Sequence, residues 1–224
     1  MRPAPIADCP RCPRLVAYRA ALRSSHPDWH NAPVPSFGPP DARLLVVGLA
    51  PGRAGANRTG RPFTGDYAGA LLYAALLRHG LARGRYEARC DDGLELVDCR
   101  ITNAVRCVPP ANRPLPSELA ACRAFLVGEL QAPPRPEVIL VLGRVAHAAV
   151  VAALGLRPGA HRFAHGTRQV LPDGRLLLAS YHSSRYNVAT GRLTPPMLEA
   201  VVAEAVRVLA ERRSDGESRR RESA

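Results

Sequence analysis

Lysine is absent from this sequence, and all 31 of its basic residues are arginine. The absence excludes Schiff-base chemistry on a lysine side chain. It also excludes the phosphate-binding loop of nucleoside triphosphatases, which requires a lysine. The net charge is nevertheless +12 at pH 7. This charge favours a polyanionic partner, usually nucleic acid, although a GC-rich genome with many arginine codons would explain part of it.

Long apolar runs are also missing. No run approaches the ~20 residues that cross a membrane, and the opening stretch MRPAPIADCPRCPRL has no apolar signal core. We therefore expect a cytoplasmic chain with no membrane partner. Cytoplasmic thiols stay reduced, so the six cysteines are candidates for metal ligation or core packing rather than for disulfides.

The apolar segments that are present predict an α/β fold. Four runs rich in β-branched residues are typical of buried parallel strands: 43–49, 96–105, 137–143 and 175–181. Helix-like segments lie between them, at 67–79, 117–130 and 144–154. This alternation predicts a three-layer α/β/α sandwich with a central, mainly parallel four-stranded sheet.

The helix boundaries and the end of the chain can also be predicted. Ser117 is the expected N-cap of the middle helix, which would begin after Pro116. A last helix is expected over 195–212. Residues 213–224 are polar and highly charged, which predicts a disordered tail after a single domain of residues 1–212.

The unusual residues follow three of the predicted strands. These segments are GLAPGRAGANRTGRPFTGDYAG (48–69), ITNAVRCVPPANRP (101–114) and HSSRYNVATGRLTPPML (182–198). Ligands of open parallel sheets bind beyond the carboxyl ends of the strands. The six glycines of the first segment allow close backbone approach to a ligand, but their spacing does not fit the dinucleotide-binding pattern G-x-G-x-x-G.

Four cysteines form a second pattern. Cys9 and Cys12 make C-x2-C, and Cys107 and Cys122 make C-x14-C. Four thiolates suit an iron–sulfur cluster, and tetrahedral zinc is also chemically permissible. The spacing alone leaves both open.

The three segments and the cysteines resemble the uracil-DNA glycosylase superfamily, specifically its family five, the iron–sulfur b type. That family carries GLAP…GANRTGRPFTGD, TNAV-K/R-C-x-PP…N-x-P and H-P-S…N…TGRLTP at the corresponding places. The resemblance extends from Cys9 to Leu198. Family-four relatives carry a glutamate where this sequence has Leu49, which argues against a narrow uracil enzyme of that type.

The resemblance implies a monofunctional glycosylase of base excision repair. It would flip uracil, hypoxanthine or xanthine out of double-stranded DNA, act as a monomer at the nucleoid, and bind a 4Fe-4S cluster. The implied cluster ligands are Cys9, Cys12, Cys107 and Cys122. An alternative of another class is a non-catalytic iron–sulfur protein that senses DNA lesions.

The implied base-binding residues are Gly48, Phe63, Asn103 and His182. Phe63 would stack on the flipped base, or else be an ordinary core residue. The Asn103 amide would pair with uracil N3–H and O4, or else cap a turn. His182 would donate to uracil O2 and stabilise the departing anion.

The carboxylate that other families use to position the attacking water is missing from its usual place in this sequence. Leu49 occupies the place of the activating carboxylate of other families, so the resemblance points to Asp66 of FTGD as the catalytic carboxylate. An aspartate before a helix is also a common N-cap, and the two roles are compatible.

The segment after the fourth strand is implied to contact DNA. The usual H-P-S-P of the family is H-S-S-R here, and Ser184, Arg185 and Tyr186 are the expected contacts. The loop would fill the gap left by the flipped base. An arginine can bind phosphates and a tyrosine can stack, so either could be the wedge.

Overall fold

The computed structural model describes residues 2–222, with side chains described through Asp215. Its helices are α1 (Pro13–Ser25), α2 (Ala56–Thr59), α3 (Tyr67–Arg78), α4 (Pro116–Gln131), α5 (Arg144–Ala153), α6 (Arg185–Ala189) and α7 (Pro195–Glu222). Its strands are β1 (Leu44–Gly48), β2 (Ala82–Arg83), β3 (Glu95–Leu96), β4 (Cys99–Asn103), β5 (Val138–Leu142), β6 (Arg168–Val170) and β7 (Leu176–Ser180).

The central sheet has the strand order β4-β1-β5-β7-β6. Strands β4, β1, β5 and β7 run parallel, and β6 pairs antiparallel with β7 at one edge. The predicted α/β class and mainly parallel sheet are therefore confirmed, with five strands instead of four. The sequence pattern missed β6 because it is a three-residue edge strand without a buried side chain.

Helices cover both faces of this sheet. The side chains of β1 alternate, so that Val46 packs in one core with Leu72 of α3 and Val202 of α7. Val47 packs in the other core with residues of α4 and α5. Every residue of β1, β5 and β7 is buried, as expected for parallel strands covered on both sides. The three-layer sandwich follows from this alternation.

The predicted strand at 96–105 is in fact two strands. Glu95–Leu96 pairs with β2, whereas Cys99–Asn103 pairs with β1. Asp98 between them has a φ of +51°, a conformation that aspartate tolerates better than most residues. Its carboxylate accepts from the backbone N–H and the guanidinium of Arg43, both at 2.8 Å. These contacts fix the bend.

The start of α4 differs from the prediction. The helix begins at Pro116, and Ser117 lies inside its first turn rather than at the N-cap. Proline suits the first helical position because it lacks the N–H that would have no partner there. The Glu118 carboxylate accepts from the backbone N–H of Leu115 at 2.7 Å and so performs the capping.

The last helix runs further than expected. The backbone of α7 stays helical to Glu222, beyond the expected end at residue 212. Arginine and glutamate are good helix formers, which suits the longer helix. The division of the chain into a domain of residues 1–212 and a tail stays a prediction. Residues 223 and 224 lie outside the described residues. No helix in the described part of the chain is long and apolar enough to cross a membrane.

Candidate active site and cysteine group

A cleft of about 510 Å³ opens at the carboxyl ends of the parallel strands. The segments after β1, β4 and β7 meet there. Most of the residues expected to act on the base line it, together with small side chains: Phe63, Asp66, Asn103, His182, Ala50, Gly52, Ala56 and Ala68. The sequence therefore identified the cleft, because it identified which strand ends carry unusual residues.

Gly48 is the last residue of β1 and is paired in register with Asn103 at the end of β4. A Cβ added at Gly48 would lie 2.4 Å from Asn103 Oδ1 and 2.6 Å from the Phe63 ring. Any side chain there would displace both groups. Glycine at this position thus allows the aromatic ring and the amide to stand against the same strand end.

Phe63 is held in a strained conformation. Its φ is +53°, which is unusual for a bulky residue. The Tyr73 hydroxyl donates to the Pro62 carbonyl at 2.7 Å, and the Tyr86 hydroxyl to the Phe63 carbonyl at 3.3 Å. Two residues before Phe63, Arg61 forms a buried ion pair with Asp92 at 2.7 Å, which fixes the start of this segment. Phe63 is 6% exposed and lines the cleft, so it is both a core residue and a wall of the site.

Asn103 is only 4% exposed. No side-chain hydrogen bond among the described residues involves its amide, and the amide atoms are not among the buried polar atoms that lack a partner. Among the described residues, the Asn103 side chain does not cap a turn. The amide atoms are therefore open to the cleft rather than enclosed in the core. Because the residue lines the cleft, its free donor and acceptor are available to a bound molecule.

Asp66 caps α3. Its Oδ1 accepts from the backbone N–H of Gly69 at 3.0 Å. Its Oδ2 faces the glycine-rich loop, where a Cβ at Gly55 would lie 2.5 Å from it. The N-cap role is therefore real, and the second oxygen has no hydrogen-bond partner among the described residues. That oxygen is free to bind a water in the cleft.

His182 follows β7 and lies beside Phe63, with ring centroids 6.0 Å apart. Burial lowers its pKa below the ordinary value of 6.5, and the charge of Asp66 partly opposes this effect. The imidazole is therefore neutral at pH 7 and carries one N–H donor. It is positioned by Asn187, whose amide donates to the His182 carbonyl at 2.8 Å.

The expected DNA contacts lie at the rim. Ser184 caps the short helix α6 by accepting from the Asn187 N–H. The Arg185 guanidinium lies 5.7 Å from the centre of the Tyr67 ring. The Tyr186 side chain, by contrast, is 72% exposed. The rim therefore presents one tethered arginine and one free aromatic ring.

The four patterned cysteines come together in one place. Cys9, Cys12, Cys107 and Cys122 line one small cavity with Leu15 and Phe125, and all four are free thiols. Arg14 binds both oxygens of Glu118 at 2.8 Å, which ties α1 to α4 and brings Cys9 and Cys12 to Cys107 and Cys122.

The environment of these thiols bears on what they could hold. Burial raises the pKa of Cys122 to about 11, and it also raises the pKa of Cys12 and Cys107. Bare thiolates are thus disfavoured there, and a bound metal group would be needed to deprotonate them. Among the described residues, no group of three or more His, Cys, Asp or Glu side chains is arranged to hold a metal ion.

Sequence reasoning did not find the residues that hold these groups in place. Tyr73, Tyr86 and Asp92 support the Phe63 segment from outside the motifs. Ser183 is buried and donates to the Ala68 carbonyl at 3.0 Å, which joins the His182 loop to α3. Ser183 and Asn187 both stood in the quoted segment 182–198, so the motif could have revealed them.

Comparison with known proteins agrees with this geometry. The sequence profile described as "Uracil DNA glycosylase superfamily" matches residues 35–206. A Type-5 uracil-DNA glycosylase of Thermus thermophilus is 49% identical over 206 residues, covering 89% of this chain and 93% of the relative. One of Pyrobaculum aerophilum is 43% identical over 204 residues, covering 89% and 88%. A Type-4 uracil-DNA glycosylase of that organism is 36% identical over 153 residues, covering 68% and 64%.

The chain therefore belongs to the uracil-DNA glycosylase superfamily. Within that superfamily it is a member of family five, as the relatives named Type-5 show. The family that the sequence predicted is thereby confirmed.

Proposed function

We propose that this protein removes uracil from DNA by hydrolysing the N-glycosidic bond, as the first step of base excision repair. The observation that carries the proposal is the cleft itself. In a member of this superfamily, it combines an aromatic wall at Phe63, a free amide at Asn103 and a neutral imidazole at His182. A glycosylase needs these three groups for stacking, for reading the base edge and for stabilising the leaving group.

Base recognition follows from the positions of Phe63 and Asn103. The flipped ring stacks on Phe63, while the Asn103 amide accepts from uracil N3–H and donates to O4. The small residues Ala50, Gly52, Ala56 and Ala68 also line the cleft. Because small side chains leave room beside the base, the two-ring bases hypoxanthine and xanthine are further proposed substrates.

Bond cleavage requires a water and a place for negative charge. The C1′–N1 bond breaks and its electron pair passes to the base, where the neutral His182 N–H donates to O2 and stabilises the anion. Water adds to C1′, held by the free Oδ2 of Asp66, and its proton passes to solvent or to the departing base. The products are free uracil and an intact abasic site.

Contacts with double-stranded DNA are proposed along the same edge of the sheet. Arg144 and Arg192 follow β5 and β7 there, and Arg162 shares a hollow with Arg144. Arg185 would bind a phosphate and Tyr186 would enter the stack where the base has left. We propose residues 1–212 as one domain that acts as a monomer at the nucleoid, where its substrate is.

A 4Fe-4S cluster is the cofactor we propose for Cys9, Cys12, Cys107 and Cys122. The support is that these four free thiols line one cavity. Held there, a cluster would join the N-terminal segment to α4 and to the segment after β4. That segment leads from Asn103, so the cofactor would stabilise one wall of the base site.

The deciding experiment is base release from a duplex oligonucleotide with one uracil. We expect free uracil and an alkali-labile site from the natural protein. Asn103→Ala should reduce the rate on uracil by about tenfold or more, because an unpaired base edge costs about 1–3 kcal/mol. Arg212→Gln serves as a control on the opposite edge of the sheet, where Arg212 contacts the Gly174 carbonyl.

Two results would overturn the proposal. Tight binding of the uracil duplex without any release of base would favour a lesion sensor. An unchanged rate for Asn103→Ala would remove Asn103 from base recognition.

A further inference from the structure

Arg19 is a buried cation without a carboxylate partner. It lies on α1 and is 2% exposed. No Asp or Glu oxygen among the described residues lies within 4.0 Å of its guanidinium. A buried guanidinium is strongly destabilising unless a negative charge compensates it. Its compensating charge must therefore come from another kind of group.

The contacts of Arg19 indicate that group. Nη1 donates to Cys107 Sγ at 2.9 Å, and Nη2 donates to the Cys9 carbonyl at 3.1 Å. Nε is buried and has no partner among the described residues. Two of the three donor nitrogens thus reach the two halves of the cysteine pattern. Only sulfur among these neighbours can carry a negative charge.

We propose that Arg19 is the counter-charge of the four-cysteine group and a positioning residue for its cluster. The inference rests on the proposed 4Fe-4S cofactor. Arg19 donates to Cys107 Sγ and fixes the Cys9 segment against it. Hydrogen bonds to the sulfurs and nearby charge are among the properties that set the reduction potential of a cluster. A fixed positive charge favours the reduced form, which carries one more electron.

The chain offers a matched control. Arg11 lies beside the same cavity, but its side chain is exposed and donates only to the Ala121 carbonyl, at 3.4 Å. Its guanidinium lies 4.9 Å from the centre of the Phe125 ring, and no hydrogen bond among the described residues joins it to a sulfur. Arg11→Gln therefore removes the same formal charge beside the cavity without removing a hydrogen bond to sulfur, and the exposed charge of Arg11 is screened by solvent.

The test compares the natural protein with Arg19→Gln, Arg19→Lys and Arg11→Gln. Iron and acid-labile sulfide are measured per chain, then the midpoint potential by voltammetry and the rate of iron loss to a chelator. Arg19→Gln should have a more negative potential and lose iron severalfold faster. Arg19→Lys keeps the charge and should be intermediate, and Arg11→Gln should match the natural protein.

The outcomes separate the two proposals. If Arg19→Gln has the same midpoint potential and the same rate of iron loss as Arg11→Gln, the role of Arg19 is overturned while the cofactor proposal stands. If Arg19→Gln does not fold, Arg19→Lys decides by the same comparison. Natural protein without iron and sulfide would overturn the cofactor and the role of Arg19 together, and the separate uracil-release assay would show whether the glycosylase proposal survives.

Discussion

His182 shows how burial sets the chemistry of a single residue. Its lowered pKa comes from desolvation, and the Asp66 carboxylate opposes the shift. NMR titration should therefore give a His182 pKa below 6.5, and Asp66→Asn should lower it further. A titration at or above the ordinary value would contradict the neutral donor.

The same shift makes a prediction about stability. As the pH falls, the unfolded chain takes up this proton near pH 6.5 whereas the folded chain does not. The free energy of unfolding should thus decrease below about pH 6.5, and His182→Gln should weaken that dependence. Urea unfolding at several pH values measures both, and identical slopes for the two proteins would argue against the assignment.

Gly48 leaves the space in which Asn103 and Phe63 lie against the end of β1. Gly48→Ala places a methyl group 2.4 Å from Asn103 Oδ1 and 2.6 Å from the Phe63 ring. Both groups must move, so we expect uracil release to fall by at least about tenfold, with a loss of stability of about 1–3 kcal/mol for overpacking. Kinetics and thermal unfolding of the same sample test this. Full activity would mean that the Phe63–Asn103 geometry is not required.

At the scale of elements, α6 is the helix that we expect to insert a side chain between the stacked bases of DNA. Ser184 caps it, Arg185 is held at Tyr67, and Tyr186 is left exposed. If Tyr186 is the wedge, Tyr186→Ala should slow uracil release from duplex DNA but not from single-stranded DNA, where no stack has to be opened. The two substrates control for damage to the site. Equal losses on both would assign Tyr186 to another role.

At the scale of the whole molecule, the arginine excess predicts strong salt dependence. Each phosphate neutralised should contribute about −0.9 to the slope of log affinity against log salt. Arg162→Gln should reduce the slope by about 1, whereas Arg212→Gln, on the opposite edge, should not. Anisotropy titrations of a labelled duplex give the slopes. If the DNA affinity does not change with salt concentration, the arginine excess reflects codon usage rather than DNA binding.

The absence of lysine also has a consequence for the whole reaction. Glycosylases that cut the DNA backbone form a Schiff base through an amine, and arginine is no substitute because it stays protonated. We therefore expect an intact abasic site and no protein–DNA adduct after borohydride treatment. Strand cleavage without alkali or heat would contradict the hydrolytic mechanism.

The sequence by itself determined the layers and the location of the site. Runs such as 137–143 are long, apolar and β-branched, and parallel strands buried on both faces need such runs. Unusual residues at the ends of β1, β4 and β7 then had to share one edge of the sheet. The three-residue strand β6 and the bend at Asp98 carry no comparable signal, because neither buries an apolar run.

Only the tertiary structure decided how the site residues are held. The free amide of Asn103, the split duties of the two Asp66 oxygens and the pKa of His182 depend on neighbours that are distant in sequence. The contact of Arg19 with Cys107 joins residues 88 positions apart. Burial and pairing of this kind are properties of three-dimensional packing, and no local pattern of residues encodes them.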